Sequence, residues 1–324
     1  MAIETLPEDP ASWRIAVVGS GAVGCYYGGR LARHGNRVRF LMRRDLEHVR
    51  AQGLDVRSCL GDFRVPEVEA FGSTEEMGEA DVVLVTLKTT ANGDLERLLP
   101  PLLHGGTRIV TLQNGLGNEE FLAERWGAER VLGGVCFTCI NRTGPGRIEH
   151  TAQGAIAVGS LTEASAGEAV RFAGLCEAAG IECRVASSIA AVRWRKLVWN
   201  IPFNGLAIAG GGIDTSRILG EPALERLVRE LMGEVIGAAE RLGYPMAAGL
   251  IEDQLAATRT MAAYRPSSMI DYVEGREVEV ESIWGEPARR GGAGGVAVPK
   301  LEMLYGLISG LVGLRRAGVK GEAV

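Results

Sequence analysis

No run of this chain is long and apolar enough to cross a bilayer: the most lipid-like stretch, residues 301–314, carries Glu302 and several glycines and falls short of the ~20 residues a span needs. There is no basic patch or arginine-rich run, and the formal net charge is −5, which argues against a nucleic-acid partner. Histidine is scarce: His34, His48, His104 and His150 are dispersed and suggest no ligand set. The six cysteines, Cys25, Cys59, Cys136, Cys139, Cys176 and Cys183, stand beside no secretion signal and read as free thiols. Cys136 and Cys139 form a C-x-x-C, but it lies in the apolar run VLGGVCFTCI, whereas a thioredoxin-like pair should open a helix. No second C-x-x-C or histidine cluster completes a zinc set, so no metal is expected. Residues 1–13, MAIETLPEDPASW, lack an apolar segment and are broken by proline; they read as a flexible leader rather than a signal peptide, and a cytoplasmic protein with no membrane partner is expected.

What is present is the balance of a globular protein. At 324 residues, 46% hydrophobic and 23% charged, the chain can build about two domains, each with its own core. The first half alternates short apolar runs with helical patterns. RIAVVG (14–19), RVRFLMR (37–43), ADVVLVTLK (80–88) and RIVTLQN (108–114) read as buried strands, followed by strand-like VLGGVCF, GRIEHT and AIAVGS. A helix from about Ala22, capped by Gly35, joins the first two strands. Strands alternating with helices predict an α/β domain over residues 14–186 with a doubly wound, mostly parallel sheet. Beyond Ser187 the pattern becomes helix after helix: 188–209, 222–242 with Gly243 as its stop, about 247–263, one opening near Ser267 and Ser268, and 299–316. Residues 187–324 are therefore predicted to form an all-helical domain. The junction of two such domains is a common place for a small-molecule cleft.

The sharpest local signal is GSGAVG at Gly19, Ser20, Gly21, Ala22, Val23 and Gly24. With 45 glycines in the chain, a match to G-x-G-x-x-G is expected about once by chance, so its position carries the argument. It follows the first strand directly and opens the first helix, the context in which Gly19 makes the tight turn, Gly21 admits a pyrophosphate and Gly24 lets helix and strand pack. A dinucleotide site is expected. At the end of the second strand an NAD site places a carboxylate for the ribose 2′-hydroxyl, but this chain has Arg43 and Arg44, suited to a 2′-phosphate. The cofactor is read as NADP, with Asp45 nearby keeping NAD open.

Further on, RWRKLVWNIPFNG places Lys196, Asn200 and Asn204 at i, i+4 and i+8, on one face of an otherwise apolar helix interrupted by Pro202. Buried asparagines with a snorkelling lysine would explain the pattern structurally. It also suits carbonyl reduction, where an ammonium supplies a proton to the developing alkoxide and amides orient the substrate. The SSM triplet containing Ser268, and Glu279 in REVEVESIWG, could complete such a site.

Taken in order, GSGAVG, the Arg43 strand end, TLK ending at Lys88, QNG containing Asn114, K-x-x-x-N-x-x-x-N, SSM with Asp271, GREVEVESIWG and GVAVP resemble the ketopantoate reductase (2-dehydropantoate 2-reductase) family, from about Arg14 to Arg316. The segments KTTAN and ESIWG depart from the family's more usual forms. The resemblance implies a Rossmann domain plus a 6-phosphogluconate dehydrogenase-like helical domain, with a homodimer plausible through the latter. It implies NADPH held by residues 19–24, Arg43, Lys88, Asn114 and Glu279. Lys196 would be the general acid and Glu279 its positioning partner and a contact of the nicotinamide ribose. Asn114, Lys196, Asn200, Asn204 and Ser268 would bind the substrate. The implied reaction is reduction of ketopantoate to (R)-pantoate, on the way to pantothenate and coenzyme A. A reductase of another 2-oxo acid, or a non-catalytic NADPH sensor, would fit the same scaffold.

Overall fold

The computed structural model describes residues 5–318. It divides into two compact units. Unit 1 holds the described residues up to Asn114 together with Asn118–Ile189; unit 2 holds Gly115–Gly117 and the described residues from Ala190. The division thus falls after Ile189 rather than after residue 186, because Ile189 packs against Gly133 and Gly159 of the unit 1 sheet.

Unit 1 is built on a ten-stranded sheet: β1 (Arg14–Val18), β2 (Arg37–Leu41), β3 (Leu54–Ser58), β4 (Phe63–Val65), β5 (Glu69–Phe71), β6 (Val82–Val85), β7 (Arg108–Thr111), β8 (Val131–Gly144), β9 (Arg147–Ser160) and β10 (Cys183–Val185). Their order is β4-β3-β9-β8-β7-β6-β1-β2-β5, with β10 also paired to β9. The run β8-β7-β6-β1-β2-β5 is parallel throughout, while β3 with β4 and β8 with β9 are antiparallel. The segments GRIEHT and AIAVGS are one continuous strand, β9. Both faces of the sheet are covered, which is why its central strands read as unbroken apolar runs. In β1, Ile15 and Val17 enter one core while Ala16 and Val18 enter the core on the opposite face. From β1 the chain runs to β2 on one side and later to β6 on the other. That reversal is a topological switch point, where open α/β sheets take their ligands.

The helix after β1, Ala22–His34, ends as expected at Gly35, whose φ of 115° lets its N–H turn back onto the carbonyls of Ala32 and Leu31. The expected flexible leader does not hold for residues 5–13. Leu6 and Trp13 are buried in the sheet's core, Trp13 Nε1 donates to the Pro7 carbonyl at 3.0 Å, and the Arg171 guanidinium lies over the indole ring. Pro10 opens a short 3₁₀ turn that Asp9 caps through Ala11 N–H. Residues 1–4 of that segment lie outside the described residues.

Unit 2 is helical. Its main helices are Ile189–Ala209, Pro222–Arg241, Leu250–Thr260, Ser267–Val273 and Pro299–Arg316. Trp194, Ile201, Phe203, Met232, Trp284 and Leu301 lie in its core. Pro202 sits inside the first of these helices without ending it. The third is shorter than its apolar pattern, since Gly249 (φ 81°) and Ala262 (φ 54°) take left-handed conformations at its two ends. Two short helices, Thr215–Gly220 and Glu286–Ala293, were not legible; the second reads EPARRGGA, a sequence whose local signals favour a turn. Among the described residues, no helix is long and apolar enough to cross a membrane.

Candidate active site

In unit 1 the expected residues converge on one sheet edge. The Gly19–Gly24 loop follows β1, Arg43 follows β2, Lys88 follows β6 and Asn114 follows β7, and these four strands are adjacent and parallel. Their carboxyl ends therefore share one side of the sheet. The loop's glycines divide by task. At Gly19 (φ 112°) an added Cβ would lie 2.3 Å from Leu87 N, and at Gly24 it would lie 2.4 Å from the Gly19 carbonyl. Above Gly21 nothing lies within 4 Å. Two glycines are thus required by packing and one leaves an open approach, the cradle a pyrophosphate needs. Thr86 Oγ1 donates to the Gly19 carbonyl at 2.5 Å, and Ser20 Oγ donates to Leu41 O at 2.8 Å, tying the loop to the end of β2. Ala22 and Val23 form the first turn of the following helix, which has neither an acidic residue there nor a capping side chain, so its N-terminal positive end is left for an anion.

Arg43 and Arg44 are exposed at the end of β2. Asp45 is held by Arg142, with Nη1 2.8 Å from Oδ1 and 2.6 Å from Oδ2. Burial pushes the nearby Cys25 thiol up to about 12, with the Asp45 carboxylate adding to the rise and Arg142 opposing it. Lys88 is half-buried and leads into the 3₁₀ segment Thr89–Asp94. Asn114 lies in an amide network that sequence reasoning missed. Gln113 Nε2 donates to Leu87 O (2.9 Å) and Asn92 Oδ1 (2.7 Å), Asn92 Nδ2 donates to Asn118 Oδ1 (3.2 Å), and Asn118 Nδ2 donates to Asn114 O (2.9 Å). The signal was present in the cluster of amides in KTTAN and QNGLGN, but only the fold brings the two segments together.

In unit 2, Lys196, Asn200 and Asn204 ride on the helix Ile189–Ala209, and both asparagines are buried. Asn204 Oδ1 accepts from Ser268 N–H at 2.8 Å and its Nδ2 donates to Asn200 O at 3.0 Å, so one amide joins three of the expected residues. Ser268 and Glu279 are buried as well. Glu279 leads into a π-helical turn, Glu281–Gly285, formed by the unusual ESIWG segment. Such turns are rare and often mark functional positions. This one is bonded to the lysine-bearing helix by Trp284 Nε1, which donates to Ile201 O at 3.0 Å. The tripeptide Gly115–Gly117, directly after Asn114, belongs to the same unit: Leu116 N–H donates to Ser282 O at 2.9 Å, and the buried Arg193 donates from Nη1 to Gly115 O at 3.1 Å. Arg193 was also missed, because a charged residue beside a lysine motif carries no local mark of burial.

The C-x-x-C of Cys136 and Cys139 lies within β8 with both side chains buried, and no disulfide joins any of the six cysteines. Among the described residues no cluster of three His, Cys, Asp or Glu side chains could hold a metal ion.

Comparison with known proteins agrees with this division. Residues 15–163 match the family described as "Ketopantoate reductase PanE/ApbA" and residues 188–312 its C-terminal counterpart. The chain belongs to the ketopantoate reductase family. Among its relatives is the 2-dehydropantoate 2-reductase of Nostoc sp., 37% identical over 94% of this chain and 97% of that one. The crystal structure of 2-dehydropantoate 2-reductase from Geobacter metallireducens superposes with a TM-score of 0.89 at 45% identity, covering 92% of this chain and 99% of that chain. The counterpart from Methylococcus capsulatus gives 0.84 at 33% identity, over 95% and 99%. As a ketopantoate reductase family member the chain is an oxidoreductase with a dinucleotide-binding α/β unit and a helical unit.

Proposed function

We propose that this protein reduces 2-dehydropantoate to (R)-pantoate with NADPH, a step toward pantothenate and coenzyme A. The observation that carries the reading is the buried polar ladder of Asn200 and Asn204, joined to Ser268, on the same helix face as Lys196. Burying amides at this density costs free energy unless they are satisfied. A lysine aligned with them is well supplied for a substrate that carries a carbonyl, a hydroxyl and a carboxylate. Bound NADPH would supply the hydride. Lys196 delivers a proton to the carbonyl oxygen as negative charge develops there, and its ammonium stabilises that charge in the same position. Glu279 orients Lys196. Asn200, Asn204 and the Ser268 hydroxyl hold the substrate's hydroxyl and carboxylate, fixing which face of the carbonyl is presented. On the nucleotide side, Gly21 would admit the pyrophosphate and Arg43 would pair with the 2′-phosphate, while Lys88 and Asn114 would contact the cofactor.

The test is oxidation of NADPH followed with ketopantoate and with a panel of other 2-oxo acids, NADH serving as the cofactor control. Turnover of ketopantoate with NADPH well above the panel is expected. Turnover confined to a different 2-oxo acid overturns the substrate assignment and leaves the chemistry in place. Lys196→Ala is expected to bind NADPH normally and to lose about 10²- to 10⁴-fold in kcat, the usual contribution of a positioned acid. Retained turnover in that variant would remove the general-acid role.

A further inference from the structure

We infer that Arg142 is a cofactor-selectivity residue, acting by clamping Asp45 so that the end of β2 presents only its arginines to the adenosine ribose. The inference rests on the NADPH reading above and adds to it a residue 97 positions away in sequence from the carboxylate it holds.

The sequence at the end of β2 is ambiguous. Arg43 and Arg44 favour a 2′-phosphate, whereas Asp45, directly after them, is the residue type that accepts from an unphosphorylated 2′-hydroxyl and repels a phosphate. The structure resolves the conflict through the β8–β9 hairpin. Arg142, near the end of β8, places Nη1 against both Asp45 oxygens, and Gly146 N–H adds a second donor, to Oδ2 at 3.3 Å. The Asp45 side chain is 15% exposed against 37% for Arg142, so the carboxylate is the more enclosed partner and the guanidinium covers it. The pair lies beside the nucleotide loop: both charges act on Cys25, in the first turn of the helix that the loop opens, and Cys25 Sγ itself donates to Ser20 O at 3.4 Å. Asp45 thus stands where its charge would be felt by a phosphate group, with the Arg142 guanidinium opposing that charge and both carboxylate oxygens already accepting hydrogen bonds. Remove Arg142 and the carboxylate becomes both a repulsive charge for NADPH and an available acceptor for NADH. This is selectivity achieved by suppressing the wrong interaction as well as by supplying the right one.

The experiment is calorimetric titration of the full chain with NADPH and with NADH, for wild type, Arg142→Ala, Arg142→Lys, Asp45→Asn and the Arg142→Ala/Asp45→Asn double variant. Arg142→Ala is expected to weaken NADPH binding about tenfold while leaving NADH binding unchanged or tighter, a change in proportion to one partly exposed charge contact. Arg142→Lys, which keeps the charge but on a shorter and more flexible side chain, should fall between it and wild type. The double variant should recover most of the wild-type preference, because the carboxylate that Arg142 suppresses is gone. A purely structural role for Arg142 would weaken both nucleotides alike and would not be rescued by Asp45→Asn; either result overturns the inference. Wild-type preference for NADH would instead overturn the NADPH reading itself. Wild-type preference for NADPH that survives intact in Arg142→Ala overturns the Arg142 role alone.

Discussion

His150 illustrates how much a single buried ring can commit. It is 2% exposed, its Nε2 lies 3.0 Å from the Ala152 carbonyl and its Nδ1 lies 2.9 Å from Ser58 Oγ. A carbonyl can only accept, so Nε2 carries the proton and Nδ1 accepts from Ser58, whose oxygen in turn accepts from Leu60 N–H. The neutral ring is fully used, and burial lowers its pKa below the ordinary histidine value, partly opposed by its backbone hydrogen bonds. A histidine whose folded pKa is depressed stabilises the fold above its unfolded pKa, about 6.5, and that contribution fades as pH falls through the folded value. Melting temperature is therefore expected to fall between roughly pH 7 and pH 5, and to fall less steeply in His150→Gln; parallel slopes for the two proteins would refute the assignment. Asn204 makes a related point. The spacing placed it in the ladder, but only the structure gives its amide oxygen to Ser268 N–H, so it has a structural duty besides any contact with substrate.

Among the elements, the π turn Glu281–Gly285 and the tripeptide Gly115–Gly117 depend on each other. Gly115 adopts φ 81°, and a Cβ there would fall 2.3 Å from the Ser282 carbonyl oxygen, a backbone atom that cannot step aside. Leu116 N–H bonds that same oxygen, and Arg193 bonds the Gly115 carbonyl. Gly115→Ala combines a disfavoured backbone conformation with overpacking, and is expected to cost on the order of 3 kcal/mol, measured by urea unfolding. A loss within a few tenths of a kcal/mol would mean that the tripeptide does not hold this position in solution. Asn114 immediately precedes it, so the same variant is expected to lower kcat. Elements with strong local patterns, such as Ala22–His34 and Pro299–Arg316, were legible from sequence, because apolar periodicity and glycine or proline punctuation lie within each segment. The π turn was not: ESIWG has no helical punctuation, and its conformation follows from Trp284 reaching Ile201 O and from Ser282 O receiving Leu116 N–H.

For the whole molecule, the two units have separate cores, and the residues proposed to hold the nucleotide, other than Glu279, lie in unit 1. A ligand that binds only the folded protein stabilises it by mass action, about 2.7 kcal/mol when present at one hundred times its Kd. NADPH at that level should raise the melting temperature. It should also slow hydrogen exchange at residues 19–24 and at the carboxyl ends of β2, β6 and β7. Slowed exchange confined to unit 2 would contradict the placement of the nucleotide site.

Local sequence is enough to read the alternation of strands and helices, the Gly19–Gly24 loop at its strand-to-helix junction, the helix that carries Lys196, Asn200 and Asn204, and the family to which the chain belongs. Each of these is written in neighbouring residues, through side-chain period, backbone permissiveness or fixed spacing. That residues 5–13 pack rather than fray, with Trp13 buried in the sheet's core, and that Gly115–Gly117 join the helical unit, emerges only in the folded chain. So does the pairing of Asp45 with Arg142. These outcomes depend on groups far apart along the chain meeting in space, and a contact of that kind leaves no periodic or spaced signal for the sequence to carry.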